Sequence, residues 1–384
     1  LTAGKRILIL GAGFGGLAAA NTLRKGLSQN HRIIVIDRKK SFMMGLVNLW
    51  ILAGNRKLED SQTPLAAINS RGIEYLNDEV MKIETESNRV HTRDHGWIAY
   101  DYLVIALGSE LAPERVSGFV GRGFNLYDSS QVPALRERLL ALRRGRVAIS
   151  IMGMPYKCPP APYEAAMIIN DILTRNGTRD TIEIDMYVPS QISLPVAGPQ
   201  VSAAVVEMIG KYGIRFNPLC KLTSVKDAEI EFENGRKESY DVLVGIPPHR
   251  SPDVIKSAGL TSNEWIPVDR LTMRTERRNV FAVGDITEIR IGPAMAMPKA
   301  GIFAEGQAKA VAEQIIDEIN NRQSNAAFSG QGFCFMEVGN RMAGFVEADF
   351  YNAAGPILRL DPPSPENYDK KHDFERSRLR EWLL

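Results

Sequence analysis

Apolar positions along the chain change period in a repeating way. Short continuous runs such as "RILIL", "RIIVID" and "RVAISI" read as strands buried on both faces, and each leads into a segment with apolar residues at helical spacing. The first cycle is "KRILILGAGFGGLAAANTL", then "RIIVID" and "DYLVIALGS". From about Phe124 to Ser262 the plan recurs: helix "QVPALRERLLALR", strand "RVAISI", helix "YEAAMIINDIL", strand "IEIDMYV", helix "PQVSAAVVEMIGKY", a meander and strand "YDVLVGI". The strand "NVFAVGDITE" and helix "PKAGIFAEGQAKAVAEQII" follow, and from about Phe328 further strands lead to a terminal helix, "PENYDKKHDFERSRLREWLL". Strands alternating with helices predict parallel sheets, so the expected class is α/β with two doubly wound units and a small α+β unit at the C-terminus.

The turn after the first strand carries chemistry. Gly11, Gly13 and Gly16 stand in the order that lets a strand turn tightly, bring its backbone to a pyrophosphate and pack against the following helix. The helix N-terminus then faces the anion. Asp37 ends the second strand about 20 residues past Gly16, where a carboxylate accepts hydrogen bonds from a ribose. The first unit is therefore predicted to be a Rossmann-like dinucleotide site.

The second unit departs from this pattern. Its turn reads Gly153-Met154-Pro155-Tyr156-Lys157-Cys158-Pro159-Pro160. Prolines lack the N–H donors that cradle phosphate, and side chains occupy the positions of the second and third glycines. The next strand ends at Val188-Pro189, with neither an acid for a ribose nor an arginine for a 2′-phosphate. NAD(P)H is not the expected substrate. Ligands in such sheets sit at the carboxyl ends of the strands, so Cys158 is a candidate redox centre.

"DYLVIALGS", entering a turn at Gly108, and "NVFAVGDITE", ending in Gly284 and Asp285, resemble two further FAD fingerprints of the pyridine-nucleotide-disulfide oxidoreductase superfamily. That resemblance implies that Asp285 holds the ribityl chain and that the FAD unit is split in sequence. The implied organisation is residues 1–112 with 263–322 for FAD, 113–262 for a degenerate NAD-like unit, and 323–384 for the C-terminal unit. Lys299, beside the start of the following helix, is placed to stabilise negative charge on the reduced flavin.

"PYKCPPAPYE" together with "GFCFMEVGNRMAGFV" resembles the sulfide:quinone oxidoreductases and the flavoprotein of flavocytochrome c sulfide dehydrogenase, along essentially the whole chain. The family implies that Cys158 and Cys334 meet above the flavin and oxidise sulfide; the assignment expected here, which the family supports less directly than the pair, has Cys334 facing the flavin and Cys158 carrying the persulfide. Glu164 matches a carboxylate that handles protons near the sulfur; read from the residues alone, it equally suits an exposed first-turn helix position. Two departures follow. "FNLYDSSQV" lacks the third cysteine of many sulfide:quinone oxidoreductases, and "SFMMGLVNLW" has Met43 and Met44 where the sulfide dehydrogenase flavoproteins attach FAD, so FAD is expected to bind noncovalently.

Composition narrows the remaining choices. Lys and Arg number 47 and Asp and Glu 45, a balance that points away from nucleic acid. Three cysteines allow at most one intramolecular disulfide, and Cys220 in "NPLCKL" is expected in a core. None of His31, His91, His95, His249 and His372 stands in a metal-ligand pattern, and no metal is expected; His249 in "PPHRSP" is expected to be a satisfied loop residue.

The last 19 residues carry no net charge, unlike a polybasic membrane anchor, and Tyr368, Leu379, Trp382 and Leu383 form a stripe expected to close a core or a homodimer interface. A quinone is the expected electron acceptor, with a c-type cytochrome as the alternative; a type II NADH dehydrogenase and a non-catalytic flavoprotein are the other classes. No run reaches the ~20 apolar residues of a membrane span. The chain opens at Leu1 rather than Met, consistent with a removed leader, and a peripheral-membrane or periplasmic location is expected, with cytoplasmic as the alternative.

Overall fold

A computed structural model describes residues 4–261, 263–292 and 295–384. The expected ends at Leu1 and Ser262 lie outside the described residues. Two five-stranded parallel sheets form the body, in agreement with the expected α/β class. In the first, the spatial order is Val280–Ala282, Tyr102–Ile105, Arg6–Leu10, Arg32–Asp37 and Glu74–Asn77. The strand from late in the chain pairs in register with the earlier one, Val280 opposite Leu103. In the second sheet the order is Phe124–Asn125, Val242–Ile246, Gly145–Ile151, Ile182–Tyr187 and Ile214–Asn217.

Strand alternation explains the layers. Ile7 and Ile9 point into one core and Leu8 and Leu10 into another, all fully buried. The Ile9 side is covered by the helices Phe14–Gly26 and Gly301–Ile319, which pack on each other. Ile83 and Val90, from the antiparallel strands Val80–Glu84 and Arg89–Thr92, join the Leu8 side. The second sheet repeats this arrangement. Val147 and Ile149 join the helix-covered core, while Ala148 packs with Leu222, Ile230 and Phe232 of a second meander.

The core on the helix side is continuous from one sheet to the other. The short helix Val47–Ala53 bridges them by packing on Val132–Ala141 and Ala161–Arg175. The C-terminal unit adds antiparallel strands Gln331–Gly339, Met342–Asp349 and Ile357–Ser364, then the helix Pro365–Trp382. Ser364 caps that helix by accepting from the Asn367 N–H at 3.1 Å. The strand Gln331–Gly339 packs against the helix Ala161–Arg175. This contact decides the site, because each element carries one of the two singled-out cysteines or directly follows it. Among the described residues no helix is long and apolar enough to cross a membrane.

Candidate active site

The first glycine turn has the shape its sequence requires. Gly11 sits at φ +97°, and a Cβ there would run into the Ala106 carbonyl; one on Gly16 would strike the Gly11 carbonyl. Gly13 faces open space instead, and no side chain caps the helix that starts at Phe14. The helix N-terminus is thus left free to receive a pyrophosphate. Asp37 accepts the Ala12 N–H on Oδ2 at 2.7 Å and the Lys39 N–H on Oδ1 at 2.8 Å, which ties the acid to the glycine turn.

Gly284 stands at the same strand ends. Its N–H donates to Gln307 Oε1 at 2.7 Å, and both Gly15 and Gly284 lie against Ala304. Gly108 follows the strand Tyr102–Ile105, and Ser109 Oγ reaches Asp285 Oδ2 at 3.5 Å. The predicted nucleotide residues therefore converge, and the open face at Gly13, the uncapped helix and the half-buried acids fit a dinucleotide such as FAD.

Lys299 is buried. Its ammonium donates to the Asp285 carbonyl at 2.5 Å and the Thr287 carbonyl at 3.3 Å, and lies 3.6 Å over the Trp265 ring. Burial brings its pKa down to about 8, against the pull of Asp285.

The second turn differs from the first at its helix N-terminus. The helix Ala161–Arg175 begins with its donors already used: Ala161 N–H bonds the Cys158 carbonyl, Pro162 has none, and Tyr163 and Glu164 N–H both bond the Pro160 carbonyl. Tyr156 fills the turn, buried, with its hydroxyl on the Pro159 carbonyl at 3.1 Å.

Cys158 adopts φ +51°, an unusual conformation for a side-chain-bearing residue, and several bonds hold it there. Its N–H donates to the Lys299 carbonyl at 2.7 Å. Tyr127 Oη donates to the Lys157 carbonyl at 2.7 Å, and Lys157 N–H donates to His249 Nε2 at 3.4 Å. His249 Nδ1 bonds the Pro247 carbonyl at 2.9 Å. Burial, with Lys157 adding to it, lowers His249 to about 3, so the ring is neutral and acts as a fixed acceptor.

Cys334 lies on Gln331–Gly339, opposite Val346. Both cysteines are free and half-buried. Burial pushes the Cys158 thiol up to about 12, with the charge of Glu164 adding and Lys371 opposing. Cys334 is raised too, first by burial and then by Cys158 and Glu164. The two thiols and Glu164 thus lie within one another's field, although they come from different units.

Glu164 is buried, which removes the exposed-helix reading. Its Oε1 accepts from the Glu337 N–H at 2.7 Å and from Lys371 Nζ at 2.6 Å. Lys371 also donates to Glu337 Oε2 at 3.0 Å, and Trp50 Nε1 donates to that same oxygen at 3.1 Å. Burial raises Glu164 above the ordinary carboxylate range, against Lys371. Lys371, which burial alone would lower, is held above its usual value by Glu164 and Glu337.

Sequence reasoning missed Lys371, Glu337, Trp50 and Tyr127. The signal for Lys371 was present: it falls, with Glu375, on the buried face that runs from Tyr368 to Trp382.

Known proteins resemble the chain along most of its length. The family described as pyridine nucleotide-disulphide oxidoreductase matches residues 5–150 and 164–308. The central region of the flavocytochrome c sulfide dehydrogenase flavoprotein chain matches residues 132–190. The sulfide-quinone reductase of Aquifex aeolicus is 26% identical over 366 residues, 90% of this chain and 84% of that protein. The mitochondrial sulfide:quinone oxidoreductase of Dictyostelium discoideum is 27% identical over 300 residues, 74% of this chain and 66% of its own. The crystal structure of the Aquifex aeolicus sulfide:quinone oxidoreductase superposes with a TM-score of 0.87 at 25% identity, covering 97% of this chain and 90% of that one.

Proposed function

Since the chain is an oxidoreductase that belongs to the pyridine nucleotide-disulphide oxidoreductase family, we propose that it oxidises sulfide through Cys158 and Cys334 and passes the electrons to a quinone. In the oxidised protein the two thiols form a disulfide. HS⁻ attacks the Cys158 sulfur, an S–S bond forms, the Cys158–Cys334 bond breaks, and the electron pair leaves on Cys334 as a thiolate. The added sulfur becomes sulfane sulfur on Cys158.

FAD, held by Gly11, Gly13, Gly16, Asp37, Gly108, Gly284, Asp285 and Lys299, supplies the two-electron acceptor for that pair when bound. Met43 and Met44, where the sulfide dehydrogenase flavoproteins carry a linking cysteine, favour a noncovalent cofactor. We read residues 1–112 and 263–322 as the unit that holds it, with the thiols supplied by 113–262 and 323–384.

The observation that carries this reading is the packing of the strand bearing Cys334 on the helix that follows Cys158, with Glu164 bonded across 173 residues of sequence to Glu337. The spent dinucleotide turn supports a donor other than NADH. Phe333, half-buried beside Cys334, has the half-buried rings of Phe345 and Phe374 each 5.5 Å away between centroids, tilted at 37° and edge-on at 82°, an apolar cluster suited to a quinone at a peripheral membrane site. The match of residues 132–190 to the flavocytochrome c flavoprotein favours a c-type cytochrome as the second reading of the acceptor.

Anaerobic addition of sulfide, and separately of NADH, while following the flavin band near ~450 nm tests the proposal. Bleaching by sulfide alone is expected. Bleaching by NADH alone would replace it with a dehydrogenase, and no bleaching by either would leave a non-catalytic flavoprotein.

A further inference from the structure

Glu337 occupies a position that neither cysteine nor the nucleotide turn requires. It lies three residues past Cys334 on one strand, and it serves the Cys158 side in two ways. Its backbone N–H holds Glu164 Oε1, and its side chain shares Lys371 with that carboxylate. Trp50, on the helix that bridges the two sheets, fixes the Glu337 oxygen from a third direction. Two carboxylates and one ammonium, each with a side chain no more than 3% exposed, leave one uncompensated negative charge inside the protein. Such a cluster takes up a proton more readily than a carboxylate in water, because burial penalises the bare charge. Among the described residues both donors to the Glu164 carboxylate reach Oε1, and no hydrogen bond reaches Oε2.

We propose that Glu337 is a positioning residue of the cysteine centre, balancing Lys371 so that Glu164 Oε2 accepts the proton brought in by the attacking sulfur. This deepens the sulfide reading and rests on it. HS⁻ adds its sulfur to Cys158 as a neutral persulfide; its proton passes to Glu164 Oε2, leaving a persulfide anion and a neutral carboxyl while Cys334 carries the displaced electron pair. No further reactant is needed. The charged and titratable groups around Glu164 are Cys158 and Tyr127 from the cysteine side, Cys334 and Glu337 from the strand, and Lys371 from the terminal helix, with Asp285 acting on Cys158. Behind Lys371 and Glu337 lie His372, Tyr368 and Arg56.

The test needs no sulfide and no electron acceptor, so it fails or succeeds separately from the sulfide reading. The fully reduced, flavin-loaded protein is alkylated with iodoacetamide from pH 5 to 11, and Cys158 labelling is followed by peptide mass spectrometry. Wild type is expected to show one inflection within this range, from Glu164, below a limb still rising toward the thiol's own titration near pH 12, and Glu164→Gln to lose that inflection; a wild-type curve without the lower inflection overturns the proposal. Glu337→Gln is expected to speed Cys158 labelling at pH 8 by about threefold or more, and Lys371→Met to slow it by a similar factor, since each changes one charge near the thiol. Shifts in the same direction, or none, would show a packing role only and likewise overturn it.

Discussion

The Cys158 N–H donates to the carbonyl of Lys299, 2.7 Å away, and Lys157 and Lys299 form an isolated parallel bridge. The cysteine turn of the second sheet is thereby fastened to the segment that starts the last helix of the first. Tyr127 secures the next carbonyl back. Tyr127→Phe should therefore leave flavin content intact and slow sulfide-driven bleaching by roughly 3–10-fold, the cost of one lost hydrogen bond that orients a reacting group. Stopped-flow absorbance against the 450 nm to 280 nm ratio of the resting protein separates the two effects.

The cysteines are expected to act as one unit. Cys158→Ser and Cys334→Ser should each lower sulfide-dependent flavin reduction by about 100-fold or more, and the double substitution should be no worse than either alone. Additive losses in anaerobic single-turnover kinetics would mean that the thiols work independently.

Gly16→Val should abolish flavin retention, because even a Cβ at this position meets the Gly11 carbonyl and already touches Ile9, leaving no space for two further methyls. Gly13→Ala is expected to fold normally, since its Cβ meets nothing in the protein, yet to hold flavin more weakly by crowding the pyrophosphate. Thermal melting and the flavin-to-protein ratio of the purified variants check both.

Asp78 gives a prediction about pH. Burial works to raise its carboxyl, but the His95 ring, Thr92 and the Glu79 and Asp94 N–H groups outweigh that and hold it well below the usual carboxylate range. A depressed pKa adds stability above the unfolded value near ~4, and that stability is lost as pH falls toward the folded value. Asp78→Asn should cost about 1–3 kcal/mol at pH 7 and flatten the dependence of stability on pH below ~4. Urea melts at pH 7, 5 and 3 measure this.

The sheets were legible in the sequence because their signals are local. A run such as Ile7 to Leu10 has no alternative to a doubly covered strand, and the glycines at 11, 13 and 16 state their own geometry. The proline-rich second turn is a local signal of the same kind, because a proline has no N–H to offer a phosphate. Trp50, Glu337 and Lys371 were not legible, because they come from three separate elements and acquire meaning only once the strand Gln331–Gly339 lies on the helix Ala161–Arg175. His249, expected to be a satisfied loop residue, has its ring satisfied but lies on the short strand His249–Arg250 paired with Glu110–Leu111, and its partner, the Lys157 N–H, could not be named from spacing.

The edge strand Val280–Ala282 also governs how the molecule is made. On the ribosome its partner Tyr102–Ile105 emerges first and, at ordinary elongation rates, waits on the order of 10 seconds with one edge unpaired. All five strands of the other sheet, from Phe124 to Ile246, emerge within that interval and can assemble as a contiguous unit. The half of the protein that begins synthesis earlier thus completes its sheet later.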